Sequence, residues 1–372
     1  MIKHVKLFTP GPGDVSEDVL EALATPVLRH YGPEWMDIYN ETISLLRQFY
    51  NTSNDLFIVP GPASALVDMA LGSLVESGGQ VLIGANGFFG DRMVEIAQGY
   101  GIDVVPLTAP LGSPLDPELL RKALRENPQV QVVGFVHHET GTTVMNPLRE
   151  LAAVAQEAGK VVVADAVSSL GGVEIQTDDW GIDVCITSAN KCLEAIPGIS
   201  FLSVSPRAWE LVERNPHKRH GWYLSLATWR KYATEWGSWH PSPVTVSSNA
   251  VLAVLTSMRQ IVKGGITAHF AKYARASQIV RRGLEELGFD MFVPEPYASP
   301  IVTGVRTRPE FSANELGAWL VEERGLAIGG AFGPLAGKIF RVGHLGKAAE
   351  DEYLDELLQA VREYLQIKRV AF

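Results

Sequence analysis

The chain has 372 residues, 46% hydrophobic and 20% charged, a composition suited to a large globular core with room for a second domain. With 32 basic against 42 acidic side chains the net charge is −10, which argues against a nucleic-acid or anionic-membrane surface. Two cysteines, Cys185 and Cys192, are too few for a disulfide framework or a cysteine zinc site; no run is apolar and long enough to span a bilayer, and the N-terminal residues lack a signal core, so the expected location is the cytoplasm.

From about residue 55 to residue 205, short apolar runs alternate with helical patterns. The runs are "DLFIVPG", "QVLIGANG", "GIDVVPL", "VQVVGFVHH", "KVVVADAVSS", "DVCITSANK" and "ISFLSVS". They are rich in Val, Ile and Leu with little alternation, the pattern of strands covered on both faces. Between them lie helical stretches such as "SALVDMALGSLVES" and "PLRELAAVAQEAG". This predicts an α/β fold with a mostly parallel sheet, whose ligands sit outside the carboxyl ends of the strands. Residues 206–250 read as irregular and aromatic-rich. A long helical pattern over about 250–288 follows, then strand-like pieces ("MFVPEP", "IVTGVRT", "KIFRVGHLG") and helices ("SANELGAWLVEERG", "EDEYLDELLQAVREYLQIK") that predict a smaller α+β domain. The expected division is an N-terminal segment over 1–20 packing near the active site, a large domain over 21–258 and a small domain over 259–372.

The strand ends carry the chemistry. "IVPGPASALVDMAL" is strand, turn, helix: a helix N-terminus offers free N–H groups and positive potential to an anion, and Ser64 adds a hydroxyl. Pro62 removes one possible donor, and a plain capped helix reads the same way. In "GANGFFGDR" the glycines permit close backbone approach, and Phe88 or Phe89 either lies flat on a planar ring or packs in the core. The spacing is not the GxGxxG dinucleotide fingerprint. "FVHHETGTTVMNP" brings His137, His138, Glu139 and Thr140 out of a strand; adjacent histidines rarely converge on one metal, so a ligand-facing loop is the better reading, with Thr140 near a ring hydroxyl and Glu139 or a histidine orienting it.

Asp165 closes "KVVVAD", and Lys191 follows the strand of "DVCITSANK". An acid there pins a loop as readily as it binds a ligand, and a lysine there can be its ion-pair partner. A desolvated lysine is also a usable amine nucleophile. An amine on one strand end and a carboxylate on a neighbouring one are what pyridoxal phosphate needs, for its carbonyl carbon and its ring nitrogen. Arg341 in "KIFRVGHLG" is either a surface arginine or a bidentate clamp for a substrate carboxylate.

With these motifs assembled, and with "FTPGPGDVSEDVL" and "GGAFGPLAG" beside them, nearly the whole chain resembles the fold-type I, class V pyridoxal-phosphate aminotransferases, with the alanine/serine–glyoxylate branch nearest. The resemblance implies that Lys191 forms the Schiff base and Asp165 holds the pyridine nitrogen. It implies Phe89 over the cofactor, Val167 beneath it, Pro62, Ala63, Ser64 and Asn190 at the phosphate, and Thr140 near the ring oxygen. Arg341 matches the carboxylate-binding arginine and Gly11 to Gly13 a substrate-side turn. His30 and Tyr31 fall where donor choice is tuned. Family members are generally homodimers in which the partner completes the phosphate site, here from the segment of Trp239, His240, Ser242 and Thr245.

The implied activity moves an amino group from a small amino acid such as alanine or serine to glyoxylate or pyruvate, through a pyridoxamine phosphate intermediate. Pro62-Ala63-Ser64 departs from the commoner Ser-Gly-Thr or Ser-Gly-His cup, and "HHETGTT" from the usual His-Gly-Glu-Ser-Ser-Thr. That loop is also similar to pyridoxamine–pyruvate aminotransferases, and His30-Tyr31 suits a ureidoglycine donor. The fold also hosts pyridoxal-phosphate lyases and cysteine desulfurases. A desulfurase needs a mobile cysteine, and neither Cys185 nor Cys192 reads as one.

Overall fold

The computed structural model describes residues 4–215 and 221–371. A short strand β1 (Lys6–Phe8) leads into helices α1 (Glu17–Leu23) and α2 (Pro33–Tyr50). Then come β2 (Asp55–Pro60), α3 (Ala63–Leu74), β3 (Gln80–Ala85), α4 (Phe88–Gly99), β4 (Asp103–Thr108) and α5 (Pro117–Glu126). The chain continues through β5 (Val132–Val136), a two-residue hairpin of β6 (His138–Glu139) and β7 (Val144–Met145), α6 (Leu148–Glu157), β8 (Val161–Asp165), β9 (Val184–Ser188) and β10 (Ile199–Val204).

The seven main strands form one sheet in the order β2-β10-β9-β8-β5-β3-β4. All neighbours are parallel except β10, which runs antiparallel to β2 and β9. Both faces are covered. Leu82, Phe135, Val162, Ala164 and Phe201 look toward α1, α2, α5 and α6. Their alternates Val81, Ile83, Val163, Ile186 and Leu202 look toward α3, α4 and two further helices, α7 (Pro206–Arg214) and α8 (Leu226–Glu235). That is why the strands read as unbroken apolar runs.

Residues 206–250 are therefore not irregular throughout. In α7, Ala208, Trp209 and Val212 make a buried stripe at helical spacing, and Ser205 accepts the N–H of Ala208 as the cap. The long pattern beyond 250 is two helices, α9 (Ser248–Gly264) and α10 (Ile266–Glu286). They meet at Gly265, whose φ of 92° is open to glycine and strained for other residues. α9 packs against α1 and α2, whereas α10 packs against α12 (Asp351–Ile367) and β11 (Val302–Arg306). Residues 258 and 259 lie inside α9.

β11 pairs with β13 (Ile339–Gly343), and β12 (Leu326–Ile328) pairs in parallel with β1. Phe8 of β1 thus sits in the C-terminal core with Tyr273, Leu316, Phe340 and Tyr364. α11 (Ala313–Trp319) begins with a capping box from Ser312 and Glu315. "MFVPEP" is not a strand. Of it only Met291 makes an isolated bridge, to Val305, and the prolines that follow turn the chain away. Among the described residues no helix is long and apolar enough to cross a membrane.

Candidate active site

A cavity of about 340 Å³ opens at the carboxyl ends of β2, β5, β8 and β9. Its walls include Pro62, Ala63, Ser64, Phe89, His138, Thr140, Asp165, Val167, Asn190 and Lys191, so ten of the residues singled out in the sequence meet in one place. Ser168, Ser188 and Gly198 join them.

Lys191 leaves the turn after β9, and its Nζ donates to the carbonyl of Pro10, 2.6 Å away. Burial brings the amine down to about 8, with Arg341 pushing the same way and Asp165 opposing. Asp165 is pushed up to about 6 by its own burial. The N–H of Val167, 3.0 Å from Oδ1, and the charges of Lys191 and Arg92 hold it from rising further. The cavity therefore holds an amine that gives up its proton readily beside a carboxylate that keeps its charge above about pH 6.

The turn before α3 is the anion-binding end. Pro62 is the N-cap in extended conformation, and Ala63 and Ser64 open the helix, where N–H groups have no intrahelical acceptor. The turn is fixed by the N–H of Gly61 on the carbonyl of Gly198 (2.8 Å) and by the Ser200 hydroxyl on the carbonyl of Gly61 (2.8 Å). Asn190 accepts a short hydrogen bond from the Ser188 hydroxyl. Ser64 Oγ accepts from Nη1 of Arg92 at 3.2 Å.

Thr140 donates to Ser168 Oγ at 2.7 Å, with the His138 carbonyl 3.3 Å away. Of Glu139 and a histidine, expected to act in orienting, His138 contacts Thr140 through its carbonyl. Glu139 instead accepts the N–H groups of Phe89 (3.1 Å), Gly90 (3.0 Å) and Gly141 (2.9 Å), capping α4 from outside the helix. His138 Nδ1 faces the Ser168 carbonyl at 3.1 Å, and burial takes this ring down to about 3, so it is neutral. Among the described residues no group of three or more His, Cys, Asp and Glu is placed to hold a metal.

Phe89 lines the cavity, while Phe88 stacks on Phe332 outside it, ring centroids 4.6 Å apart. Arg341 is 4% exposed and lies behind Thr140 rather than in the cavity wall. Its Nη1 donates to the Thr140 carbonyl (2.9 Å), its Nε to the Gly330 carbonyl (2.7 Å), and its face lies 4.7 Å from the Phe332 ring. Burial brings this guanidinium down to about 10.

Gly13, His30, Tyr31, Ser242 and Thr245 are outside the cavity walls as well. A β-carbon on Gly13 would strike Leu345, so this glycine serves the packing of the N-terminal segment. It is Gly11 that meets Lys191. His30 packs on Tyr31 and His240, and Ser242 donates to the carbonyl of Val244. Trp239 and Thr245 are exposed.

Sequence reasoning did not single out Arg92, Ser168 or Ser188. Only Arg92 carried a signal: it stands three residues after Phe89, the spacing that puts two side chains on one helical face.

The aminotransferase class-V family model matches residues 18–327. A crystal structure of alanine–glyoxylate aminotransferase from Nostoc sp. is similar over 98% of this chain and 96% of that one, at a TM-score of 0.94 and 31% identity. The pyridoxamine–pyruvate transaminase of Mesorhizobium japonicum is 28% identical over 95% of this chain and 90% of its own. The (S)-ureidoglycine–glyoxylate transaminase of Bacillus subtilis is 27% identical over 93% and 87%.

Proposed function

The chain belongs to the class-V aminotransferase family, and from that premise we propose that it binds pyridoxal 5′-phosphate and moves an amino group from a small amino acid of the alanine or serine type to glyoxylate or pyruvate. The observation that carries this reading is the placing of Lys191, Asp165, Phe89 and the Gly61–Ser64 turn around one cavity. The residues present fit the cofactor. The turn offers N–H groups and a hydroxyl for a phosphate, Phe89 and Val167 offer flat and branched apolar walls for a ring, and Asp165 offers a carboxylate for a protonated ring nitrogen. When bound, pyridoxal phosphate supplies an electrophilic carbon for amines and a ring that takes up electrons from the substrate α-carbon.

The protein's part is positioning and proton transfer. Asp165, charged above about pH 6, is the residue that would hold a proton on the cofactor's ring nitrogen. Lys191, at about 8, takes a proton from the substrate α-carbon on Nζ and returns it elsewhere, a task suited to an amine whose pKa is near the working pH. Arg341 uses Nε and Nη1 on carbonyl groups, which leaves Nη2 for a substrate carboxylate. Thr140, held by Ser168 and by Arg341, links the cavity to that clamp.

We further propose a homodimer with shared sites. The support is that Trp239, His240, Ser242 and Thr245 lie outside the cavity, with Trp239 and Thr245 exposed. A cytoplasmic location is in keeping with two free, buried cysteines. The same burial speaks against a desulfurase: Cys185 and Cys192 are both inaccessible, and burial pushes the Cys185 thiol up to about 12 and the Cys192 thiol higher.

Purified protein given pyridoxal phosphate is expected to show a visible absorption band that Lys191→Ala abolishes. A panel of alanine, serine, ureidoglycine and free pyridoxamine against glyoxylate and pyruvate ranks the donors. A colourless wild type would sink the cofactor, and preference for free pyridoxamine would replace the amino acid as donor.

A further inference from the structure

We infer that Arg92 is a positioning residue for the phosphate end of the cavity, one that orients the Ser64 hydroxyl and brings the cation that makes the site select a phosphorylated cofactor. The inference rests on the pyridoxal-phosphate reading above.

The turn before α3 is poor in donors. Pro62, at the N-cap, has no N–H, and Ala63 has no polar side chain. Ser64 is the one hydroxyl of the turn, and a helix N-terminus supplies only about half a unit of positive charge. A phosphate carrying close to two negative charges needs more than that.

Arg92 arrives from the second turn of α4. Its Nη1 donates to Ser64 Oγ at 3.2 Å. A hydroxyl has one hydrogen, and a guanidinium can only donate. Ser64 Oγ is thus the acceptor in this contact, and its own O–H stays free to donate. The guanidinium centre lies 4.8 Å from the Phe88 ring and 5.0 Å from the Phe89 ring, and Phe89 is a wall of the cavity. Two aromatic faces hold the group by cation–π attraction without neutralising it. Among the described residues no carboxylate lies within ion-pair distance of Arg92, and its only hydrogen bond is to Ser64. A partly buried guanidinium, fixed on three sides and in no ion pair, with the Asp165 carboxylate acting on it only from beyond ion-pair distance, stands beside the one hydroxyl of an anion-binding turn. An anionic group at this end of the cavity gives it a direct partner.

The test is equilibrium binding to cofactor-free protein, followed by absorbance and by tryptophan fluorescence. Pyridoxal phosphate and unphosphorylated pyridoxal are titrated into wild type, Arg92→Met, Ser64→Ala and the double variant. Arg92→Met is expected to weaken pyridoxal phosphate by about tenfold to a hundredfold, the worth of a charge-assisted contact, and to leave pyridoxal within about twofold. The double variant should lose little more than Arg92→Met alone, because the Ser64 hydroxyl depends on Arg92 for its orientation. Arg92→Lys keeps the charge without the fork, and should lose part of the affinity for the phosphate form only. Equal weakening of both ligands, or of neither, in folded Arg92→Met and Arg92→Lys overturns the inference. A wild type that prefers unphosphorylated pyridoxal overturns the cofactor reading itself, a different result from a wild type that binds pyridoxal phosphate and does not need Arg92.

Discussion

The Nζ of Lys191 lies 2.2 Å from where a β-carbon on Gly11 would stand. Gly11 also has φ of +124°, closed to most side chains, and the preceding carbonyl, Pro10, accepts from that same Nζ. The N-terminal segment therefore sets the floor under the amine. Gly11→Ala is expected to displace Lys191 and lower turnover by about 100-fold, the usual cost of misplacing a reacting group by an ångström. The check is kcat together with the thermal midpoint. Wild-type turnover would show that residues 10–12 shift aside freely.

Lys191 carries a stability cost that the cofactor-free protein reveals. Its folded value of about 8 lies below the ordinary 10.5, so between those values the unfolded chain binds the extra proton. The stability contributed by the neutral amine is full above about pH 10.5 and lost as pH falls through about 8. Lys191→Met should stabilise the cofactor-free protein at pH 7 by up to ~3 kcal/mol, a gain that fades by pH 10.5. Urea midpoints at pH 7 and pH 10.5 decide it. A less stable variant at pH 7 would mean that the contact with Pro10 outweighs desolvation.

Glu139 and Asp165 have the opposite sign. Burial pushes Glu139 up to about 7 and Asp165 to about 6, above their unfolded values. Their contribution is fully present below about pH 4 and is lost as pH rises through 6 and 7. Buried His137, His138 and His344, lowered to about 4, 3 and 3, pull the total slope the other way, so the carboxyl is read as a difference: between pH 5 and pH 8, cofactor-free wild type should lose stability relative to Glu139→Gln. Three N–H groups converge on the Glu139 carboxylate, so the variant also tests the capping of α4. An unchanged slope between the two pH values would show that Glu139 ionises in the folded protein as it does in the unfolded one.

Glu194 joins the lysine-bearing turn to α10. Its carboxylate accepts from Lys272 (2.6 Å) and from the buried Tyr273 hydroxyl (2.7 Å), with His269 Nε2 at 3.7 Å. It does so at φ +51°, a conformation that costs a non-glycine residue about 1 kcal/mol. Glu194→Ala should destabilise the protein by about 2–4 kcal/mol, since it leaves the buried Tyr273 hydroxyl without its acceptor and breaks the ion pair with Lys272. Glu194→Gly should be the milder change by about 1 kcal/mol, because it removes the strain as well. If Ala and Gly unfold alike, the backbone at 194 is not strained.

Much of this architecture was legible because periodicity and strand ends are local signals. The runs ending at Asp165 and before Lys191 read as doubly covered strands, and the residues at their tips meet in the cavity. What was hidden depends on contacts far apart in sequence. No local pattern tells that β1 pairs with β12, or that Lys191 reaches Pro10, 181 positions away. The apolar pattern over 250–288 continues through Gly265, and only the left-handed backbone there divides the helix. α7 and α8 were missed because short helices bury narrow stripes beside many aromatic residues. Arg92 went unnoticed, since its meaning comes from Ser64 on another helix.

Arg341 separates binding from chemistry. Two of its nitrogens are committed to the carbonyls of Thr140 and Gly330, and Phe332 covers its face. The planar fork therefore arrives already oriented, with little entropy left to lose on taking a carboxylate. Arg341→Lys keeps a charge but cannot hold both carbonyls and also reach a third group. It should raise KM for both amino and keto acid by about tenfold or more, as expected for a lost charge-assisted hydrogen bond, with a smaller change in kcat. Arg341→Ala should add a fall in kcat, because the Thr140 carbonyl loses its donor and Thr140 lines the cavity. Steady-state kinetics with alanine and glyoxylate measure both. If Arg341→Lys keeps the wild-type KM, the substrate carboxylate is held elsewhere and Arg341 serves only to brace Thr140.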